Sequence, residues 1–378
     1  MKIVIIGGGG NAAEATGGFL LAKGYEVSFF RFSTRILVPG TPVRTTRLRS
    51  RLDRIEVKGT GDFSAYTFNG KVNWANEDDL RRADVFIYAM PSYLVEKVGE
   101  HLGKFIDGKV LINLSDRSLG TYNLVKSMKR YSYEAGPRLA IAFNGVPIMS
   151  QKHHREGDNS LFFVKPKLSF SVNKSELKHE AIQLLCDIFS LRASALKYYD
   201  SFLRLCMENV HSIEHAVADI VNLRYGNYDQ PGRLYSSVNY TQAICRRISN
   251  IASERDRISL CLFGQSFVSL GAYDEVVFPS KFEEVAALSG SNKYRNEHEI
   301  LKWAPSPDRI SAFGYEDVGW AMVPLEQIGL LLGVESPALA ALIDDWTTFC
   351  GTDFRAHGRK VTRTDLCHFG VLGPQVSA

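Results

Sequence analysis

Five short apolar runs punctuate the first half of the chain: Lys2–Ile6, Glu26–Phe30, Val85–Ala89, Val110–Asn113 and Leu139–Phe143. They are rich in β-branched and aromatic residues with little polar alternation. That pattern predicts strands covered on both faces rather than strands with one wet face. Helical spacing fills several of the gaps. Asn11–Lys23 is small and apolar at helical intervals and closes on Gly24 as a C-cap, and Tyr93–Leu102 follows the third run. Strands alternating with helices predict a parallel, doubly wound α/β sheet. Phe162–Val172 reads as two short antiparallel strands at its end.

From about Ser175 the period changes to that of helices: Glu176–Ser190, Asp200–Val221, Tyr240–Val268, Phe282–Leu288, Pro324–Leu332 and Pro337–Phe349. The change places a boundary near residue 195, with an α/β domain over 1–195 and a mainly α-helical one over 196–378. Ala272–Ser306 has mixed charge and few apolar repeats and reads as an irregular excursion.

Composition narrows the classes. The chain has 378 residues, 45% hydrophobic and 23% charged, with a net charge of +4, ordinary values for a globular protein. Its densest basic patch, Arg44–Arg54, carries five arginines and no interleaved aromatics. It reads as a solvated loop or anion-binding face, and no nucleic-acid partner is expected. The six cysteines show neither a C-x-x-C pair nor zinc spacing, as expected of reduced thiols in a cytoplasmic protein. The N-terminus lacks the pattern of a signal peptide, and no run approaches the ~18 apolar residues of a membrane span.

The first candidate chemistry is "IIGGGGNAAEA", which follows a buried strand and opens a helix. That context is required of a dinucleotide-binding turn, and it makes 1–195 a Rossmann domain. Gly8 and Gly10 would form the tight turn and let a pyrophosphate approach, and Ala13 would let the helix pack closely on the strand. At the end of the second strand an acidic residue would accept from a ribose 2′-hydroxyl. Here Arg31 and Arg35 bracket the position, with the hydroxyls of Ser33 and Thr34 between them. Guanidiniums and hydroxyls suit a 2′-phosphate, so NADP(H) is expected rather than NAD(H). Pro91 and Ser92, in "AMPS" after the third run, would cover the pyrophosphate and nicotinamide ribose, and Asn113 would lie near the nicotinamide.

The second is the helical stretch "MENVHSIEHAVAD". His211 and His215 are four apart and share a helix face. The pair could hold a metal with Glu208 or Asp219, could comprise one catalytic histidine and a neighbour, or could simply pack. Further along, "GYEDVGWAMVPLEQIGLLLGVESP" sets paired acids before an apolar helix.

Taken together, these segments resemble the opine dehydrogenase family, the octopine/nopaline dehydrogenase group. "GGGNAA" resembles that family's G-x-G-N-x-A turn, which brings in Asn11. "NVHSIEH" is similar to its N-x-x-x-H element, with His211 where the family has asparagine and His215 on the catalytic histidine. "YEDVGWAMVPL" is similar to the R-Y-x-x-E-D-V segment and puts Asp317 on the histidine's carboxylate partner. "GTDFRAHGR" is similar to a C-terminal stretch of the family. The resemblance implies a Rossmann domain followed by a helical domain, with substrate held between them. It also implies reductive condensation of an α-keto acid, such as pyruvate or 2-oxoglutarate, with the amine of an amino acid. An imidazole titrates in the range that these proton transfers need, and a carboxylate on its other nitrogen would fix its tautomer. No metal is expected. A homodimer could form.

Two departures stand out. The family arginine before the acidic pair falls at Ala312, leaving Arg309, three residues upstream, as a substitute substrate anchor beside His211. The family's P-G after the strand ending at Asn113 is Leu114–Ser115. Two other readings follow: a simple 2-keto acid reductase of the same plan, and a non-catalytic NADPH-binding sensor.

Overall fold

The computed structural model describes residues 1–7, 10–32, 54–59, 63–114, 116–132, 136–151, 160–165, 167–209, 211–225, 242–266 and 314–372. The chain forms two compact units, the first reaching Leu205 and the second continuing from Cys206.

The first unit is built on a seven-stranded sheet in the order β11-β10-β7-β6-β5-β1-β2. Its strands are β1 (Lys2–Ile6), β2 (Glu26–Phe30), β5 (Val85–Tyr88), β6 (Val110–Asn113), β7 (Leu139–Phe143), β10 (Leu168–Val172) and β11 (Leu196–Tyr199). The five from β2 to β7 run parallel. Every residue of β5, β6 and β7 is buried, because helices cover both faces of a parallel sheet. These include α1 (Asn11–Ala22), α3 (Val95–Leu102), α4 (Gly120–Tyr131) and α5 (Lys178–Phe189). A capped turn of helix, α2 (Glu77–Arg82), leads into β5.

The sheet's far edge departs from the parallel expectation. β10 runs antiparallel to β7, and β11 then pairs parallel to β10. Phe162–Val172 does contain two strands, β9 (Ser160–Val164) and β10, but they do not pair with each other. β9 belongs to a second sheet, of order β4-β3-β9-β8, with β3 (Arg54–Gly59), β4 (Thr67–Lys71) and β8 (Ile148–Gln151). A glycine pair in α1 explains how two sheets share that helix. A Cβ on Gly17 would run into the Phe29 ring of the first sheet, and one on Gly18 into the Val57 side chain of the second. Glycine there lowers helix propensity by roughly 1 kcal/mol per residue, offset by the close approach on both sides. Phe19 continues the contact, edge-on to Tyr66 at 5.0 Å.

The second unit is helical. The expected helix Asp200–Val221 is two, α6 (Phe202–Glu208) and α7 (His211–Tyr225). The Asn209 N–H turns back to the Cys206 carbonyl, a tightened last turn at the end of the first. Then come α8 (Gln242–Phe263), α9 (Val323–Leu332), α10 (Pro337–Cys350), α11 (Phe354–His357) and α12 (Arg363–His368). The expected Phe282–Leu288 helix and the Ala272–Ser306 excursion lie outside the described residues. Trp346 of α10 is fully buried and donates its indole N–H to the Ala216 carbonyl at 2.8 Å, which fixes α10 against α7. Glu254 of α8 accepts from the Ala338 and Leu339 N–H groups, both at 2.8 Å. A carboxylate at a helix N-terminus satisfies two donors and faces the positive end of the dipole.

Candidate active site

In the first unit the dinucleotide-type turn lies between β1 and α1. Gly7 has φ +128°, and a Cβ there would stand 2.9 Å from the Ala89 carbonyl oxygen. Only glycine fits, and the sequence reading passed over this position. Gly8 is outside the described residues. Gly10 is the N-cap of α1, with nothing within 4 Å of where its Cβ would stand. Among the described residues, then, nothing crowds Gly10 at the α1 N-terminus, as close approach of a pyrophosphate requires. Of Asn11, the first residue of α1, only the backbone is described. Ala13 is fully buried in the core. These residues fit a dinucleotide.

Arg31 directly follows the last residue of β2 and is exposed. Ser33, Thr34 and Arg35 lie outside the described residues. After β5 the Pro91 carbonyl accepts from the Tyr88 hydroxyl at 2.7 Å, and Ser92 opens a buried 3₁₀ turn. These bonds hold the loop that follows β5 at the carboxyl edge of the sheet, where open α/β sheets bind ligands.

Asn113 ends β6 and is buried. Its amide donates to the Thr121 hydroxyl at 3.0 Å. Asp116 accepts from the N–H and hydroxyl of Thr121, at 2.5 and 3.1 Å, and its own N–H donates to the Phe143 carbonyl at 2.7 Å. Leu114 is buried, and Ser115 lies outside the described residues. The loop turns through two left-handed residues, Ser118 (φ 36°) and Leu119 (φ 66°). Such conformations cost on the order of 1–3 kcal/mol each, and the Asp116 bonds hold them in place. Nothing in the sequence signalled this network.

In the second unit His215, on α7, and Asp317, in the helical turn before α9, come together. His215 Nδ1 is 3.1 Å from Asp317 Oδ2. The carboxylate is fully buried, whereas 20% of the histidine side chain is exposed. An ionised carboxylate only accepts, so it holds the proton on Nδ1 and fixes the ring in that tautomer. The acids around them are buried too: Glu214, Asp219 and Glu208. Burial raises the Asp219 carboxyl well above the ordinary aspartate value, since a low dielectric disfavours the charged form. The side chain of His211 is not described, and Arg309 and Ala312 lie outside the described residues.

The turn carrying Asp317 is unusual. Helix begins at residue 314, passes through a π-turn over Val318–Met322, and continues as α9. The Val323 N–H reaches back five residues to the Val318 carbonyl. Tyr315 is buried against Trp320 and Phe354, with ring centroids 5.1 and 5.3 Å away. Burial, with a smaller contribution from Cys350, pushes its hydroxyl up to about 12. Tyr315 is thus a neutral, buried side chain packed under the turn.

No family model matches the chain. An opine dehydrogenase of Arthrobacter sp. (strain 1C) is 20% identical over 296 residues, 78% of each chain. Over most of its length the chain is similar to an opine dehydrogenase. The structure of octopine dehydrogenase in complex with NADH and agmatine matches at a TM-score of 0.64 and 15% identity, covering 93% of this chain and 90% of that one. Yersinopine dehydrogenase with bound NADP+ matches at 0.57 and 13% identity, over 97% and 95%. The shared fold is an N-terminal Rossmann domain followed by a helical C-terminal domain.

Proposed function

We propose that the protein is an NADPH-dependent opine dehydrogenase, joining an α-keto acid to the amine of an amino acid and reducing the product to a secondary amine. The observation that carries this reading is the His215–Asp317 pair, an imidazole with one nitrogen held by a buried carboxylate and its ring partly open to solvent. When bound, the coenzyme supplies the hydride. Gly10 and the α1 N-terminus would hold its pyrophosphate, and Arg31 and Arg35 its 2′-phosphate.

The residues of this chain handle protons. Condensation of amine and ketone expels water, and the carbinolamine oxygen leaves as water only if it is protonated. His215 Nε2 is suited to give that proton. Reduction of the iminium adds hydride to carbon and leaves a basic secondary amine, which His215 also buffers. Asp317 keeps the ring in one tautomer and stabilises it when charged, as the acid of a catalytic triad does. Asn113, Pro91 and Ser92 support the nicotinamide end of the site. The substrate carboxylates would be taken by His211 and Arg309.

The test is a matrix of keto acids against amino acids, followed by NADPH oxidation and product mass. Oxidation that needs both partners, with a product equal to their sum less water plus two hydrogens, supports the reading. Oxidation with a keto acid alone would favour a simple reductase. Binding of NADPH without turnover would favour a sensor.

A further inference from the structure

The π-turn behind Asp317 creates a hydrogen-bonding deficit that the C-terminal segment repairs. The Val323 N–H bonds Val318, not Gly319. The next residue in line for Gly319 is Pro324, which has no N–H. The helix ladder therefore offers the Gly319 carbonyl no donor, and it denies Trp320 its ordinary α-helical one. Leaving such groups unpaired in a buried turn is costly.

Arg359 supplies both. Its backbone N–H donates to the Gly319 carbonyl at 2.9 Å, and its guanidinium Nη1 donates to the Trp320 carbonyl at 3.4 Å. The side chain is only 3% exposed. Gly358 makes the approach feasible, because a Cβ there would run into the Gly319 and Phe354 carbonyl oxygens. The Val361 N–H then donates to Gln327 Oε1 at 2.7 Å and fastens the segment further along α9.

We infer that Arg359 is a positioning residue for the His215–Asp317 pair, acting by stabilising the π-turn that sets the direction of Asp317. A π-turn inserts one residue into the helix. At 3.6 residues per turn, this rotates everything before it by about 100° relative to the helix after it. Asp317 immediately precedes the turn. If the turn relaxed to plain α-helix, its carboxylate would swing away from His215. Single π-turns of this kind recur at functional sites. Here the turn aims one buried acid.

The inference rests on the proposed role of His215, but its test does not need turnover. Selectively ¹⁵N-labelled histidine reports the tautomer of His215 directly in the unliganded protein. In the wild type the neutral ring is expected to carry its proton on Nδ1. Asp317→Asn and Arg359→Met are both expected to shift it toward Nε2. Arg359→Lys keeps a buried cation that can reach one carbonyl, so it should restore the tautomer ratio part-way. In turnover, Arg359→Met should lower kcat by about tenfold, inside the roughly 10²–10⁴-fold that the proton transfer is worth. The Kd for NADPH should not change. Arg359→Lys also serves where the methionine variant does not fold. A folded Arg359 variant with the wild-type tautomer ratio would overturn the inference. If no keto acid and amine pair is turned over, the functional reading fails while the tautomer ratio still decides this one.

Discussion

Asp317 Oδ2 lies 3.1 Å from His215 Nδ1 although 102 positions separate the two residues in the chain. Folding of the helical unit alone creates this pair, since α7 and the turn before α9 both belong to it. The fully buried acid is where its charge acts most strongly on the imidazole, and the partly exposed ring is where a proton can be exchanged.

Replacing His215 by Ala is expected to lower kcat by roughly 10²–10⁴-fold with little change in NADPH affinity. Asp317→Asn should cost less, because the ring stays in place and loses only its tautomer and charge support. Steady-state kinetics with coenzyme binding by fluorescence check both. Full turnover by His215→Ala would remove the histidine from the mechanism.

Arg31, directly after β2, motivates a preference for NADPH over NADH. Charge-assisted bonds to a phosphate are worth on the order of 1.5–3 kcal/mol each, so Arg31→Ala should weaken NADPH binding about tenfold or more and leave NADH nearly unaffected. Equal affinity of the wild type for the two coenzymes would end the 2′-phosphate assignment.

Asp219 lies one helical turn beyond His215 and is 1% exposed. Burial raises its carboxyl, so the folded protein binds this proton more tightly than the unfolded chain does. Below about pH 4 both states are protonated and there is no penalty. As pH rises through the unfolded value toward the folded one, stability is lost. Asp219→Asn keeps the shape of the neutral acid and should therefore raise Tm near neutral pH, by roughly 2–4 °C for each kcal/mol recovered. The two melting curves should converge in acid. A lower Tm for the variant near neutral pH would contradict this account.

Activity should survive exhaustive chelation. Loss of water from the carbinolamine needs a proton donor and hydride addition to the iminium needs no Lewis acid, and His215 Nδ1 already bonds a carboxylate. Loss of turnover with chelator, restored by a stoichiometric divalent ion, would require both histidines to be reassigned.

Much of the fold was legible because double-sided burial leaves a strong trace. β1, β5, β6 and β7 are apolar at almost every position. The second sheet left a weaker one. In β3, Arg54, Glu56 and Lys58 alternate with Ile55 and Val57, and β4 carries Gly70 and Lys71. Half-exposed strands of this kind resemble loops. The better clue was Gly17–Gly18 inside a helix, which records the approach of a sheet on each side. The pairing of His215 with Asp317 was legible through motif resemblance, because spacing alone left the histidines ambiguous. Arg359 was not. Its role follows from which carbonyls lack donors, and that appears only when the π-turn and Pro324 are seen together.

The central claim is that a carbon–nitrogen bond forms before reduction, and tracing the hydride tests it most directly. NADPH deuterated at the transferable position would be supplied with a productive keto acid and amino acid pair. The predicted result is deuterium on the former keto carbon of an N-substituted amino acid, with formation abolished when the amine is omitted. Deuterium recovered instead in a free 2-hydroxy acid, at a rate indifferent to the amine, would contradict it.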